Sequence, residues 1–435
     1  MTGERPPLPP GPWLVVGLAR SGVAAARALM ARGEDVVVVD RGTPADVPDG
    51  IDAHLQTDGL AYLAAARAVV KSPGVPREAP VIAAARERGV PVLGELELGW
   101  RLLPNEFVAV TGTNGKTTTV ELLGHIHREA GSPVAVAGNV GTAVSGLAGT
   151  LDQRATVICE ASSFQLEDTL AFAPEGAVLL NVEADHLDRH GTLAVYLAAK
   201  LQAFARQGSD DVAVYPLGLE VEDLGGCARR VPFGAGGALD DRAGHLWWDD
   251  EPLIAHDEIR LRGAHNRANA AAAAAIALAR GIDPDAVRAG LRTFAGVEHR
   301  LEELGLVDGV LFVNDSKSTN VASTLVALAS FADDARVHLI LGGQGKGQSF
   351  APLHDRALRN YLVGEDAERI EREAGGERCG DLATAVARAR AAAAPGDVVL
   401  LSPACASFDQ FADFEARGRT FKALVRQRRR RAAGR

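Results

Sequence analysis

The tightest constraint in this sequence is Thr111-Gly-Thr-Asn-Gly-Lys-Thr-Thr118, which follows an apolar run, Phe107–Val110, and opens a helical pattern from Thr117 to Ala130. Strand, glycine-rich turn, Lys-Thr and helix together make a phosphate cradle. Backbone N–H groups and a helix N-terminus point at one spot and supply positive potential there. Lys116 would reach the β- and γ-phosphates, and Thr117 would hold Mg²⁺ directly or through water. The strict G-x-x-x-x-G-K-[ST] pattern fails because Val110 stands where its first glycine belongs. The loop is a shortened variant, and its context reads as phosphate binding rather than as a bare turn.

The same alternation of strand and helix runs along the whole chain and means parallel sheets. Upstream, Trp13–Val16, the turn Gly17-Leu-Ala-Arg-Ser-Gly22, a helix over Val23–Arg32 and a strand Val36–Val39 ending in Asp40 form a β-turn-α-β unit. The turn keeps only two glycines of G-x-G-x-x-G, so by itself it does not separate a nucleotide turn from a plain Rossmann-like one. Val69-Val70 leads into the turn Lys71-Ser-Pro-Gly-Val75. Downstream, strands are expected at Thr156–Cys159, Ala177–Leu180 and Asp211–Tyr215, with helices at Leu193–Phe204 and Asn266–Arg280. Residues 225–261 read as turns and short strands. A last series follows: strands Val310–Val313, Val337–Leu341, Tyr361–Val363 and Val398–Leu401, with helices Ser318–Ala329, Leu353–Arg359, Ala367–Glu373 and Leu382–Ala393. The chain therefore reads as three successive α/β domains, residues 1–98, 99–297 and 298–435.

Polar corners follow several of these strands, where open α/β sheets bind ligands. Glu160 ends one strand and could coordinate Mg²⁺; a satisfied surface carboxylate is the bland alternative. Asn181-Val-Glu-Ala-Asp185-His186-Leu-Asp188-Arg-His190 packs oxygen and imidazole ligands into one loop, which suggests a metal or phosphate site. Asn266 suits a helix N-cap. Asn269 lies inside that helix, where asparagine is disfavoured, and should contact something. Asn314-Asp315-Ser-Lys317-Ser-Thr319-Asn320, Leu341-Gly-Gly-Gln-Gly-Lys346 and Ser402–Phe414 are further ligand-type corners, and Arg300 puts a cation near the last domain junction.

Composition narrows the class. The net charge of −10 argues against a nucleic-acid binder. No apolar stretch approaches the ~20 residues of a membrane span. The proline-rich start has no apolar h-region, so a secretory signal is not expected. Four scattered cysteines offer no C-x-x-C pair and point to a reduced compartment, the cytoplasm. The run Arg428–Arg431 reads as a solvated basic helix end, with contact to an acidic partner as the alternative. Of 46 basic residues only six are lysine: Lys71, Lys116, Lys200, Lys317, Lys346 and Lys422. In so arginine-biased a chain each lysine invites the question of what arginine could not do there. Lys71 has no evident role, and Lys422 reads as ordinary surface.

In this order, over nearly the whole chain, these motifs resemble the Mur ligase family. Gly-Thr-Asn-Gly-Lys-Thr is shared with folylpolyglutamate synthetases and marks only the superfamily. Asn314-Asp315-Ser-Lys317 and Ser402-Pro-Ala-Cys-Ala-Ser407 with Asp409-Gln-Phe are more specific to the D-glutamate-adding member. The Asp-Asn-Pro-Arg motif of the diamino-acid-adding ligase is absent. The resemblance implies a Rossmann-like UDP-binding domain, a central P-loop-type ATPase and a C-terminal Rossmann-like domain. It implies ATP-dependent ligation of D-glutamate to UDP-N-acetylmuramoyl-L-alanine through an acyl phosphate, in peptidoglycan precursor synthesis, by a cytoplasmic monomer without nucleic-acid or membrane partners. Another Mur or folylpolyglutamate-type ligase, or a non-catalytic homologue, is the rival reading; the latter should have lost Lys200, Glu160 or Asp315.

Residue roles follow from the same resemblance. Leu18, Ala19, Arg20, Ser21, Gly22, Asp40, Arg41, Ser72, Pro73, Gly74 and Asn139 would hold the UDP substrate. Gly112, Thr113, Asn114, Gly115, Lys116, Thr117, Thr118, Asn266, Asn269, Arg300 and Asp315 would bind ATP. Thr117, Glu160, His186 and Lys200 would ligate two Mg²⁺ ions, Lys200 as a carbamate formed with CO₂; Lys116, Lys200 and His186 form the catalytic set. Lys317, Thr319, Lys346, Ser407, Phe408 and Phe414 would hold D-glutamate. Domain closure should bring this acceptor site to the ATP. Two departures stand out: Ala19 replaces a glycine, and Phe408 replaces a smaller aliphatic residue.

Overall fold

The computed structural model describes residues 5–432 apart from 45, 46, 48, 49, 220–222, 333 and 346; the side chains of Asp188 and of 427–432 also lie outside it. Lys346 is therefore outside the described residues, as are the side chains of the Arg428–Arg431 run. The expected parallel sheets form. In the first, five parallel strands lie in the order Asp52–His54, Val36–Val39, Trp13–Val16, Ala68–Lys71, Val92–Gly94. Strands such as Leu14-Val15-Val16 and Val69-Val70 are buried because helices cover both faces, so near-continuous apolar runs form them rather than alternating ones. The order reverses between Trp13–Val16 and Ala68–Lys71, which opens a crevice at their C-terminal ends.

The second sheet has nine strands. Phe107–Thr111 is flanked by Thr156–Glu160 on one side and Gly176–Leu179 on the other, all parallel. The loops after these three strands therefore emerge at one edge. The glycine- and aspartate-rich stretch after Val212–Pro216 extends the sheet by Arg229–Phe233, Leu239–Arg242, His245–Trp248 and Glu251–Ala255, the last three as an antiparallel meander.

The third sheet has six strands in the order Glu302–Val307, Val310–Asn314, Val398–Leu401, Val337–Gly342, Arg359–Val363, Glu377–Gly380, parallel except at its first pair. The first two sheets belong to one compact unit, residues 1–259 and 265–293; the third belongs to a second unit, residues 260–264 and 294–435.

Four local expectations are corrected. Leu353–Arg359 is no helix: Pro352 sits in a short 3-10 turn, Ala351–Leu353, Asp355 turns left-handed at φ 56°, and a strand starts at Arg359. Helix Val321–Leu328 starts later than expected because Asn320 caps it, accepting the Ser323 N–H at 2.8 Å. Helix Arg20–Met30 starts earlier, so Arg20, Ser21 and Gly22 form its first turn. Helix Ala264–Ala279 begins before Asn266, which is therefore no N-cap.

Buried acids join the first two sheets. Helix Glu95–Leu102 leaves the first sheet and presents Glu97, fully buried, to the N–H groups of Leu170, Ala171 and Phe172, each at 3.0 Å. Glu95 accepts both the N–H and the hydroxyl of Ser145 at 2.7 Å, and burial raises its pKa. Lys71 supplies the opposite sign. Its ammonium is fully buried, 2.7 Å from Asp168 Oδ2, and donates to the Val75 carbonyl at 2.7 Å. A buried pair broken on one side leaves a charge without compensation. Arg86, 3.2 Å from Asp168, softens that loss. Lys71→Met should destabilise the chain by about 3 kcal/mol, read as a lower urea midpoint; an unshifted midpoint would contradict this account.

Candidate active site

A cavity of about 420 Å³ opens at the crevice of the first sheet. Of the eleven residues expected to hold a uridine nucleotide, Ala19, Arg20, Ser21, Asp40, Arg41, Ser72, Pro73, Gly74 and Asn139 line it. Leu18 and Gly22 lie behind the wall: Leu18 is buried with its N–H bonded to Asp40 Oδ2 at 2.6 Å, and Gly22 packs on the Gly17 carbonyl. Thr57, Asp58, Val75, Pro76 and Gln165 also line the cavity and carried no sequence signal for it. Asn139 joins the cavity to the second sheet. Its carbonyl accepts Arg20 at 2.9 Å, and its side-chain amide donates to Glu160 Oε1 at 3.0 Å.

The glycine loop lies at the edge where the central strands end. Helix Lys116–Glu129 begins at its end and directs its free N–H groups there, leaving about half a positive charge. Lys116 Nζ curls back to the carbonyls of Gly112 and Thr113, both at 2.9 Å. Lys200 Nζ, carried by helix Leu193–Leu201, donates to the same Gly112 carbonyl at 2.8 Å and lies 4.2 Å above the Tyr196 ring. Burial first and then the Lys116 charge lower the Lys200 pKa to about 7. Gly115 has φ 87°, and a Cβ there would lie 2.1 Å from Asn269 Oδ1. This is the contact that a mid-helix asparagine required: Asn269 packs on the loop and donates to Asn266 Oδ1 at 3.3 Å.

Residues of the polar corner after Gly176–Leu179 brace the loop. Asn181 Oδ1 accepts the Asn114 N–H at 2.8 Å, Glu183 accepts the Asn114 side chain at 3.0 Å, and Thr113 Oγ1 accepts the Glu183 N–H at 3.0 Å. The Tyr196 hydroxyl lies 3.3 Å from Thr113 Oγ1. Nothing in the sequence analysis singled out Tyr196, which lies one helical turn before Lys200.

Glu160 is buried beside the loop, and its Oε2 has no hydrogen-bond partner among the described residues. A buried carboxylate oxygen without a donor needs positive charge, so this corner fits a cation. Thr117 is buried in the first turn of the loop helix. His186 lies on the exposed turn after Gly176–Leu179, left-handed at φ 51°, 3.5 Å from Asp185 and 4.9 Å from the Phe164 ring.

In the second unit the corner after Val310–Asn314 is built around Asp315. One oxygen accepts the Leu301 N–H at 3.1 Å; the other accepts the hydroxyls of Ser318 at 2.5 Å and Ser402 at 2.7 Å. Burial raises its pKa to about 6. Lys317 is half-buried, 6.0 Å from the Phe414 ring; Ser407 is buried, whereas Phe408 is 70% exposed. Arg417 is buried and, among the described residues, its hydrogen bonds go to neutral groups, Ser316 and the carbonyls of Cys405 and Ala406; burial lowers its pKa to about 10. In a chain with so many arginines nothing in the sequence singles it out. Lys422 is not ordinary surface: it bridges Glu298 and Glu302. Those two acids and His299 could group around a metal, but the Lys422 ammonium already bridges the two carboxylates.

Three mostly parallel sheets, with a phosphate-type loop on the second, define a nucleotide-dependent α/β protein. Family models divide the chain the same way: the MurD-like N-terminal domain of Mur ligases matches residues 12–94, the Mur ligase middle domain 110–228 and the Mur ligase glutamate ligase domain 299–405. The chain belongs to the Mur ligase family. It is 44% identical to the UDP-N-acetylmuramoylalanine–D-glutamate ligase of Anaeromyxobacter dehalogenans, over 96% of this chain and 97% of that one. It is 41% identical to the enzyme of that name from Myxococcus xanthus, over 95% and 97%. The fold is that of the Thermotoga maritima UDP-N-acetylmuramate–alanine ligase MurC, with a TM-score of 0.60 at 20% identity over 95% of this chain and 99% of that one.

The two ammonium groups on one carbonyl generate a prediction. The folded pKa of Lys200 lies below that of an unfolded lysine, so the unfolded chain holds the extra proton between about pH 7 and 10. Stability is withheld below about pH 7 and recovered as pH rises through that window. With ¹³C-labelled lysine in CO₂-free buffer, one side-chain resonance, lost in Lys200→Met, should titrate near pH 7. A Lys200 midpoint near 10 would overturn the electrostatic account.

Proposed function

We propose that this chain ligates D-glutamate to UDP-N-acetylmuramoyl-L-alanine with ATP, for peptidoglycan precursor synthesis, working as a cytoplasmic monomer. Full-length similarity to ligases of that name carries the reading. The geometry supports it in three places: a cavity of nucleotide size, a loop charged for phosphate, and a buried carboxylate oxygen that lacks a donor. No helix among the described residues is long and apolar enough to cross a membrane.

In this reading the cavity residues hold the uridine nucleotide, and Asn139 also orients Glu160. Lys116 and the amides of Gly112–Thr118 bind the ATP phosphates, and Asn266, Asn269, Arg300 and Asp315 contact the rest of ATP. Thr117, Glu160, His186 and carbamylated Lys200 hold two Mg²⁺ ions, which supply neutralising charge to the phosphate oxygens when bound. The alanine carboxylate oxygen attacks the γ-phosphorus; the bond to the β-phosphate oxygen breaks, giving an acyl phosphate and ADP. Lys116 follows the charge as it moves. The amine of D-glutamate then attacks the acyl carbon, the amide bond forms, phosphate leaves and the nitrogen loses a proton. Lys317, Thr319, Lys346, Ser407, Phe408 and Phe414 hold the amino acid.

Lys200 is suited to its modification. Near neutral pH much of its amine is uncharged, and the free amine can attack CO₂, forming a C–N bond and releasing a proton. The product is an anion beside Lys116, so the modification turns a repulsive pair into an attractive one.

Phosphate release should require ATP, UDP-N-acetylmuramoyl-L-alanine and D-glutamate together; equal turnover with L-lysine or diaminopimelate would sink the amino-acid assignment. Lys200→Ala should lose about 10³-fold in kcat and regain part of it with a short-chain carboxylic acid. No rescue, together with no CO₂ adduct on the wild-type chain by native mass spectrometry, would remove the carbamate.

A further inference from the structure

The turn that carries His186 is folded around one aromatic ring. Phe164 has His190 stacked at 5.3 Å and 19°, His186 at 4.9 Å, and the Arg189 guanidinium carbon at 4.1 Å. His190 is fixed from below by Ser163 Oγ at 3.0 Å. Arg189 then reaches away from the ring. Its Nη1 donates to the Pro73 carbonyl at 3.0 Å; its Nη2 donates to Glu167 at 2.5 Å and points at the Val75 carbonyl, 3.5 Å away. Pro73 and Val75 belong to the wall of the 420 Å³ cavity. One planar guanidinium thus touches the cavity wall with its edge and the hub of the His186 turn with its face.

We propose that Arg189 is a positioning residue that couples filling of the sugar-nucleotide cavity to the placement of the His186 turn. The inference rests on reading that cavity as the uridine-nucleotide site. His186 itself is exposed and left-handed, so its own burial and backbone preference do not fix it; the N–H groups of Arg189 and His190 on its carbonyl shape the turn, and the Phe164 stack and Arg189 side chain place that turn against the rest of the fold. Lys71 already holds the Val75 carbonyl from beneath, so a ligand seated on the Ser72–Pro76 loop acts through the Pro73 carbonyl. That carbonyl orients the guanidinium, and the guanidinium holds the ring and the turn. Lysine cannot replace Arg189, because an ammonium does not present a flat face and a donor fork at once. Coupling of this kind is reciprocal: an ordered turn also favours nucleotide binding.

The test uses the full chain and UDP, which fills the cavity without carrying a sugar–peptide arm toward the turn. Hydrogen exchange of the peptide covering 184–192 is followed with and without saturating UDP. UDP should slow that exchange about tenfold in the wild type, a typical coupling, and leave it unchanged in Arg189→Met and Arg189→Lys. In turnover both variants should raise KM for the UDP-linked substrate and lower kcat while KM for D-glutamate stays put, a split that general destabilisation does not produce. Phe164→Leu keeps an apolar side chain and all the carbonyl bonds; it should still bind UDP, weakened by no more than the lost coupling of about tenfold, and lose the protection. A wild type that binds UDP but shows the same protection in every variant, or none at 184–192, overturns the coupling alone. A wild type that does not bind UDP overturns the cavity reading and the coupling with it.

Discussion

One carbonyl oxygen, that of Gly112, receives both ammonium groups of the central site, Lys116 at 2.9 Å and Lys200 at 2.8 Å. Much else in the first unit is arranged around that fact. Two like charges on one acceptor repel, and the burial of Lys200 removes the water that would screen them. The helix N-terminus adds potential of the same sign. The site therefore carries positive charge that an anion can satisfy, held in place before the anion arrives. Holding it takes a brace, and the loop after Gly176–Leu179 supplies one: Asn181 and Glu183 bond the loop's backbone and side chains.

The second unit solves a similar problem with the opposite sign. Asp315 is the buried charge there, and it draws together the N–H of Leu301 and two hydroxyls from separate segments. Arg417, equally buried, ties the Ser316 backbone to the carbonyls of Cys405 and Ala406. The loops that carry Lys317 and Ser407 are thus fixed to one another by a cation with no carboxylate bonded to it among the described residues. Such a group is costly to bury. Its many carbonyl and hydroxyl partners account for its being tolerated, and a guanidinium's five donors make that possible where an ammonium's three would not.

What the sequence disclosed follows the same division between local and tertiary physics. The central parallel strands were legible almost residue for residue, because a strand covered on both faces must be an apolar run; Val92–Gly94 and Val134–Gly138, short or closed by glycine, and the edge strands Asp52–His54 and Glu377–Gly380 were not read. The site corners were legible because they follow those strands. Asn269 was legible because asparagine inside a helix demands a reason, and the glycine loop is that reason. The stretch 353–359 was misread because its pattern fits a helix while a proline and a left-handed aspartate break it. Tyr196, Arg189 and Arg417 were missed since each acts through a contact made across the fold, which leaves no trace in local spacing. The lysine count was informative beyond expectation: Lys71 and Lys422 also sit in ion pairs where a compact ammonium meets a carboxylate at close range, rather than on open surface.

The missing glycine of the first turn has a similar explanation. A third glycine would be needed if position 19 had to adopt a left-handed backbone, but Ala19 sits at φ −86° as the residue before helix Arg20–Met30, a conformation open to any side chain. The demand falls elsewhere. Gly17 takes φ 96°, and a Cβ on Gly22 would stand 1.8 Å from the Gly17 carbonyl oxygen. That carbonyl is held by the Ser72 hydroxyl at 2.9 Å, while Asp40 accepts the N–H groups of Leu18 and Gly42 at 2.6 and 2.7 Å. Asp40 and Ser72 therefore build the turn as well as lining its cavity. A two-glycine turn suffices because Gly17 makes the turn and Gly22 the close packing, whereas the middle glycine of a dinucleotide fingerprint serves close approach to a pyrophosphate and not the fold of the turn.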